Sequence, residues 1–188
     1  MGYRALLFDL DGVIVSTEKN HFHAWKKTAN HLGISFSEKD NEALKGVNRV
    51  DSLKHILALG KRIVPDEEFE ALLHFKNEEY LSSIEDLCIK DLLPGVFDLL
   101  NLAKNKGFNI GLGSSSKNAP MILERLEIAA YFDVVIDGNG VSRPKPDPEV
   151  FLNGAKRMGL SPSECLVFED AQSGIQAAKA VLLPQILG

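Results

Sequence analysis

The sequence predicts an α/β fold, a Rossmann-like parallel sheet core with an inserted all-helical cap domain. Three observations carry this prediction. Residues 5–10 form an apolar run broken only by Asp9, as in a strand buried on both faces. Residues 18–90 show helical periodicity and no convincing strand. From Pro94 onward strand and helix patterns alternate, as in a parallel βα sheet. The core is therefore expected over 1–16 and 93–188, and the helical cap over 17–92.

In chain order, the first strand runs into Asp9 and Asp11, which share a face of an extended backbone, and Gly12 lets the chain turn. Ser16 or Thr17 caps a helix over 18–31, with Phe22, Trp25, Ala29 and Leu32 on its apolar side and Gly33 at its end. Ser37 and Asp40 form a capping box for a short helix reaching Lys45. After the polar turn 45–49, helices are expected over 50–59, closed by Gly60, and over 66–81, continuing toward Leu87. The core then resumes. A helix spans 96–106, a second strand 108–113, a helix 119–126 and a third strand 132–137. The rigid turn 144–148 leads to a helix ending at Met158. Ser161 and Glu164 cap the entry to a fourth strand over 165–168. A helix over 174–180 follows, and 181–187, interrupted by Pro184, reads as an edge strand.

Hydrophobic content of 45% and charged content of 25% are those of an ordinary globule. A formal charge of −5 argues against a nucleic-acid binder, which needs a basic footprint. No apolar run is long enough for a membrane span, and no signal peptide precedes the first strand. Cys88 and Cys165 suggest neither a disulfide framework nor a zinc site, so a cytoplasmic protein is expected.

Each strand ends in chemistry: Asp9 and Asp11 after the first, Ser114, Ser116 and Lys117 after the second, Lys145 in the loop after the third, Glu169 and Asp170 after the fourth. In a parallel sheet these carboxyl ends share one edge. Carboxylates there suit Mg²⁺, which prefers oxygen ligands, with Asp9, Asp170 and Glu169 as candidates. Lys145 would offset the charge of a phosphoryl group. With Asp9 as nucleophile, Asp11 would be its acid/base partner. Blander readings stand beside these. Lys145 reads equally as a surface lysine, Ser114 as a helix cap, Glu169 as a local acceptor and Asp147 as a turn residue.

The segment from Asp9 to Val13, with Ser114, Lys145 and the pair Glu169 and Asp170, resembles the four motifs of the haloacid dehalogenase-like phosphotransferases, in the subclass with a helical cap after the first strand. The resemblance implies a HAD-like core. It implies Asp9 as the phosphorylated nucleophile, Asp11 as acid/base, and Ser114 and Lys145 on the transferring phosphoryl group. Mg²⁺ would be held by Asp9, the main-chain carbonyl of Asp11, Glu169 and Asp170. The presence of Asp11 points away from dehalogenation, whose leaving group needs no proton.

Thr17, His21, Trp25, the run 44–49 with Ser52, Lys76 and Asn77, and the core segment 116–118 resemble the β-phosphoglucomutase branch of that superfamily. This implies interconversion of β-D-glucose 1-phosphate and D-glucose 6-phosphate through β-glucose 1,6-bisphosphate. Arg49 would clamp the distal phosphate, joined by Ser116, Lys117 and Asn118. Lys76 would contact the sugar, Gly46 would let the backbone approach it, and Ser52 and Trp25 complete the substrate set. Read alone, Trp25 is a cap-core residue. Thr17 and His21 would position Asp11 and shield the phosphoenzyme. A sugar-phosphate phosphatase and an inactive phospho-ligand-binding fragment are the alternatives.

Three departures from the family pattern stand out. Ser16 replaces a common aspartate, and Ala171 a common hydroxyl residue. Residues 179–183 lack the glycine that separates the last helix from the next strand, and the sequence stops at Gly188 where relatives continue. A monomer is expected, with association as the remedy for a sheet face left without its cover.

Overall fold

The computed structural model describes residues 2–182. Strand β1 (Ala5–Phe8) is buried throughout because it lies between two parallel neighbours, β2 (Asn109–Gly113) and β4 (Cys165–Phe168). Strand β3 (Val134–Ile136) pairs in parallel with β2, giving the order β3-β2-β1-β4. The connections from β1 to β2 to β3 move one way across the sheet. The chain then crosses back to lay β4 on the far side of β1. Open α/β sheets bind their ligands beyond the carboxyl ends of the strands at such a reversal, which here places the crevice between the ends of β1 and β4.

Helices α1 (Glu18–His31), α2 (Glu38–Glu42), α3 (Arg49–Leu59) and α4 (Asp66–Ser83) follow β1. Helices α5 (Val96–Asn105), α6 (Ala119–Arg125), α7 (Glu149–Arg157) and α8 (Gln172–Leu182) alternate with the remaining strands. The chain forms two compact units. One runs to Ser16 and resumes at Leu87, and the other spans Thr17–Asp86. Residues 87–92, expected in the cap, thus group with the sheet. The exit of β1 holds them there: Val15 bridges Leu92, and the Leu93 amide donates to the Ile14 carbonyl at 2.9 Å.

In the sheet unit, alternation along β1 divides the core. Ala5 and Leu7 pack with Val150, Phe151 and Ala155 of α7 and Ala177 of α8. Phe8 stacks on its register partner Phe168 with ring centroids 4.7 Å apart, and Phe132 meets it edge-on at 6.5 Å. In the other unit, Trp25, Ala29, Leu53, Ile56, Leu72 and Leu73 make a separate apolar core. The starts of α2 and α3 are capped by side chains. Ser37 and Asp40 form the expected box on α2, and Asn48 accepts from the Asp51 amide at 3.0 Å on α3. Thr17 precedes α1, but its hydroxyl makes no cap bond and pairs with Tyr80 Oη at 2.9 Å instead.

The structure corrects two further expectations. Helix α2 stops at Glu42, short of Lys45. Val181 and Leu182 extend α8 and do not begin an edge strand. No glycine or proline interrupts the chain between Gly174 and Pro184, and Val181 packs against the same core as Ala177, so the helical period continues. The rest of that expected strand lies outside the described residues. Among the described residues no helix is long and apolar enough to cross a membrane.

Leu7 is fully buried at the centre of the sheet. Replacing it with Ala is expected to remove about 2–5 kcal/mol of stability, read as a lower midpoint in urea unfolding with an unchanged slope. A loss near zero would contradict the packing described.

Candidate active site

Asp9 follows β1 directly, and its amide donates to the Phe168 carbonyl at 2.9 Å, which ties the end of β1 to the end of β4. Carboxylate oxygens of Asp9, Glu169 and Asp170 lie within 4.8 Å of one another. Asp9 is buried, Glu169 half-buried and Asp170 exposed. The close packing of β4 against the turn after β1 needs a residue without a side chain. Gly12 has φ +82°, and a Cβ there would stand 2.1 Å from an Asp170 carboxylate oxygen.

Lys145, 5% exposed, donates to Asp9 Oδ1 and to Glu169 Oε2, each at 2.6 Å, so the surface-lysine reading fails. Glu169 Oε1 also accepts from the Ala171 amide at 3.1 Å. Burial pushes the Asp9 carboxyl from its ordinary 3.8 up to about 7; Lys145 opposes the shift, while Glu169 and Asp11 add to it by repulsion. Burial also works against the Lys145 charge, but the two carboxylates outweigh it and hold the ammonium above its ordinary value.

The loop that presents Lys145 is fastened by a residue that sequence reasoning missed. The Glu149 carboxylate accepts from the amides of Ser142 and Arg143, at 2.8 and 3.0 Å, and from the Ser142 hydroxyl. These bonds, with the Arg143 guanidinium, lower its pKa to about 2. Asp147 serves as the expected turn residue, accepting from the Glu149 amide and pairing with Arg143. The available signal was an acidic residue in the first turn of α7 preceded by three prolines, Pro144, Pro146 and Pro148.

Beyond β2, Ser114 is buried, its amide donating to the Ile136 carbonyl at 2.9 Å. Its hydroxyl accepts from the Ser116 amide at 3.1 Å and does not cap α6. Ser116 Oγ accepts from the Asn118 amide in the same way, at 3.2 Å. Lys117 is exposed. Asp11 is half-buried and close enough to raise the Asp9 pKa, but its carboxylate is not among the clustered oxygens.

In the helical unit, α4 sets Lys76 and Tyr80 against α1. Lys76 Nζ lies 2.7 Å from His21 Nδ1, and 4.9 and 4.7 Å from the ring centroids of Trp25 and Tyr80. An ammonium only donates, so His21 accepts at Nδ1 and carries its proton on Nε2. The Tyr80 ring stacks on His21 at 4.1 Å. Tyr80 thus supports both His21 and Thr17, a role its apolar helix position did not disclose. Trp25 is 3% exposed and packs in the apolar core of this unit, as its reading as a cap-core residue expects, with Lys76 Nζ over its indole ring. Ser52 is 2% exposed, its hydroxyl donating to the Asn48 carbonyl at 2.8 Å. Lys45 pairs with Glu18 and Glu42. Arg49 is half-buried, its pKa lowered mainly by burial; no ion pair to it is found among the described residues. Gly46 turns the chain ahead of α3 with φ +72°.

A family model described as haloacid dehalogenase-like hydrolase matches residues 3–181. The chain belongs to this family. As a haloacid dehalogenase-like hydrolase it is closely related to β-phosphoglucomutase: it is 44% identical to that protein of Bacillus subtilis (strain 168), over 94% of this chain and 79% of the relative. Fructose-1-phosphate phosphatase YqaB of Escherichia coli (strain K12) is 35% identical, over 95% of this chain and 92% of the relative. The solved β-phosphoglucomutase of Clostridium difficile superposes with a TM-score of 0.92 at 40% identity, covering 95% of this chain and 81% of that one.

The donor set of this family member suits Mg²⁺. All the clustered ligand atoms are carboxylate oxygens, the preference of a small hard cation. Burial, with repulsion from Glu169 and Asp11, outweighs Lys145 at Asp9, so a cation here would meet under-compensated acidic groups.

A stability signature follows from that elevation. The native Asp9 pKa lies above its ordinary value, so its contribution is full below about 3.8 and is lost as pH rises through about 7. In EDTA, Asp9→Asn is expected to gain stability relative to wild type across that window, by on the order of 1–4 kcal/mol at its upper end. Thermal unfolding of both proteins from pH 4 to 8 checks this; a difference independent of pH would contradict it. Mg²⁺ should raise the wild-type midpoint more than that of Asp9→Asn.

Proposed function

We propose that the protein is a Mg²⁺-dependent β-phosphoglucomutase, interconverting β-D-glucose 1-phosphate and D-glucose 6-phosphate in the cytoplasm as a monomer. The observation that carries this reading is Arg49. It is a half-buried cation of the helical unit without an ion pair among the described residues, in a protein whose sheet unit carries a buried cation of its own, Lys145 beside Asp9. A bisphosphate needs cations at both ends, and a guanidinium suits a forked contact to phosphate oxygens. The identities to β-phosphoglucomutases support the same reading.

The chemistry assigns each group one task. An Asp9 carboxylate oxygen attacks phosphorus, and the P–O bond to the sugar breaks as Asp11 gives its proton to the leaving oxygen. The phosphoryl group then rests on Asp9. From that phosphoenzyme the 6-hydroxyl of β-glucose 1-phosphate attacks phosphorus as Asp11 takes its proton, which frees Asp9 and forms β-glucose 1,6-bisphosphate; the 1-phosphoryl group then passes to Asp9 in the first sense, releasing D-glucose 6-phosphate. Lys145 and the Ser114 hydroxyl stabilise charge on the transferring group. Mg²⁺ would be held by Asp9, the Asp11 carbonyl, Glu169 and Asp170, and would supply the remaining positive charge. In the helical unit Arg49 is the cation for the second phosphate, Lys76 is the sugar contact, and Gly46 lets the backbone come close to the sugar. Tyr80 braces His21 and Thr17 within that unit. Ser52 acts on Arg49 indirectly, by fixing the first turn of α3 through Asn48.

A second reading, hydrolysis of a sugar phosphate with the same aspartyl phosphate, is favoured by the identity to a fructose-1-phosphate phosphatase. One assay separates the two. With β-glucose 1-phosphate, Mg²⁺ and a trace of the bisphosphate, the mutase reading predicts glucose 6-phosphate and little inorganic phosphate. Mostly inorganic phosphate would replace it with the phosphatase reading. Arg49→Ala is expected to reduce mutase kcat/KM by about 100-fold or more, as for a truncated charge-assisted phosphate contact, and hydrolysis of a simple phosphate ester far less. Equal losses would contradict the distal-phosphate role.

A further inference from the structure

Gly174 lies in the first turn of α8 and is buried. A Cβ at this position would stand 2.0 Å from the carboxyl carbon of Glu169, 2.0 Å from Oε2 and 2.5 Å from Oε1. The Glu169 carboxylate therefore occupies the volume that any other side chain at 174 would fill. From that seat it reaches three partners at once. Oε2 accepts from Lys145 at 2.6 Å, Oε1 accepts from the Ala171 amide at 3.1 Å, and the carboxylate stands within 4.8 Å of the oxygens of Asp9 and Asp170.

Backbone preference does not account for a glycine here. Gly174 is absent from the positive-φ positions of the chain, and alanine is the better residue inside a helix. What remains is space. Gly12 plays the matching part under Asp170, but its φ of +82° makes any substitution there strained for a second reason, so Gly174 is the cleaner case.

We propose that Gly174 is a positioning residue of the cation site: its missing side chain is the seat that lets Glu169 bind Lys145 and face the metal position together. The assignment rests on the reading of Asp9, Glu169 and Asp170 as Mg²⁺ ligands. Alanine at 174 displaces the carboxylate and weakens the metal site while leaving helix α8 intrinsically no less favourable. Shortening the acid withdraws it from the added methyl group.

The test is Mg²⁺ affinity by titration calorimetry of four proteins: wild type, Gly174→Ala, Glu169→Asp, and the double variant. Gly174→Ala is expected to bind about tenfold or more weakly than wild type, the usual scale for disturbing a group that orients a metal ligand. The double variant is expected to match Glu169→Asp within about threefold, because the two changes relieve each other. Unchanged affinity in Gly174→Ala, or the same penalty in both backgrounds, overturns the proposal. If Gly174→Ala does not fold, folding regained in the double variant supports the steric seat, and failure of both overturns it. Wild-type protein that binds no Mg²⁺ would instead defeat the metal reading on which the assignment rests.

Discussion

The position of Lys145 between Asp9 and Glu169 is the constraint on which the site depends. Three carboxylates meet where the chain reverses beside β1, and they cannot all be ionised there without positive charge. The lysine supplies one unit from a loop 136 residues after Asp9 in the chain. Its ammonium is buried along with its partners, so loss of Lys145 leaves two carboxylates uncompensated, which is costly in a low-dielectric interior. Burial, with repulsion from Glu169 and Asp11, leaves the Asp9 pKa elevated in spite of Lys145. A divalent cation at these carboxylates and an anionic substrate would each lower the electrostatic cost of the other.

Packing of the sheet unit serves this arrangement. The Phe8–Phe168 stack and the Asp9 amide bond to the Phe168 carbonyl hold β1 and β4 in a register that brings both acidic ends level. Glu149 pins the amides ahead of Lys145, so the loop arrives with its ammonium already aimed. The helical unit shows a related design with a different balance. Lys76 is as buried as Lys145, but it faces the imidazole of His21 and two aromatic rings.

Much of the site was legible because it is local. Asp9, Asp11, Glu169 and Asp170 directly follow apolar runs, and a parallel sheet brings strand ends to one edge whatever the details of packing. The helices of 18–83 and the capping box of Ser37 and Asp40 were legible for the same reason. What escaped depends on contacts between distant segments. Glu149, Tyr80 and Gly174 carry no motif, because their parts are played through the Ser142–Arg143 amides, the Thr17 hydroxyl with the His21 ring, and the Glu169 carboxylate. The end of α8 was misjudged: Val181 and Leu182, expected to begin an edge strand, are helical.

The central claim is that the crowded carboxylate at the end of β1 is the nucleophile. Brief exposure of the protein to β-glucose 1,6-bisphosphate and Mg²⁺, quenching, borohydride reduction and peptide mass spectrometry test it directly, since an aspartyl phosphate is reduced to homoserine. The account predicts homoserine at position 9 alone. Homoserine at position 11 or 170, or turnover of the bisphosphate with position 9 unmodified under every quench time, would contradict it.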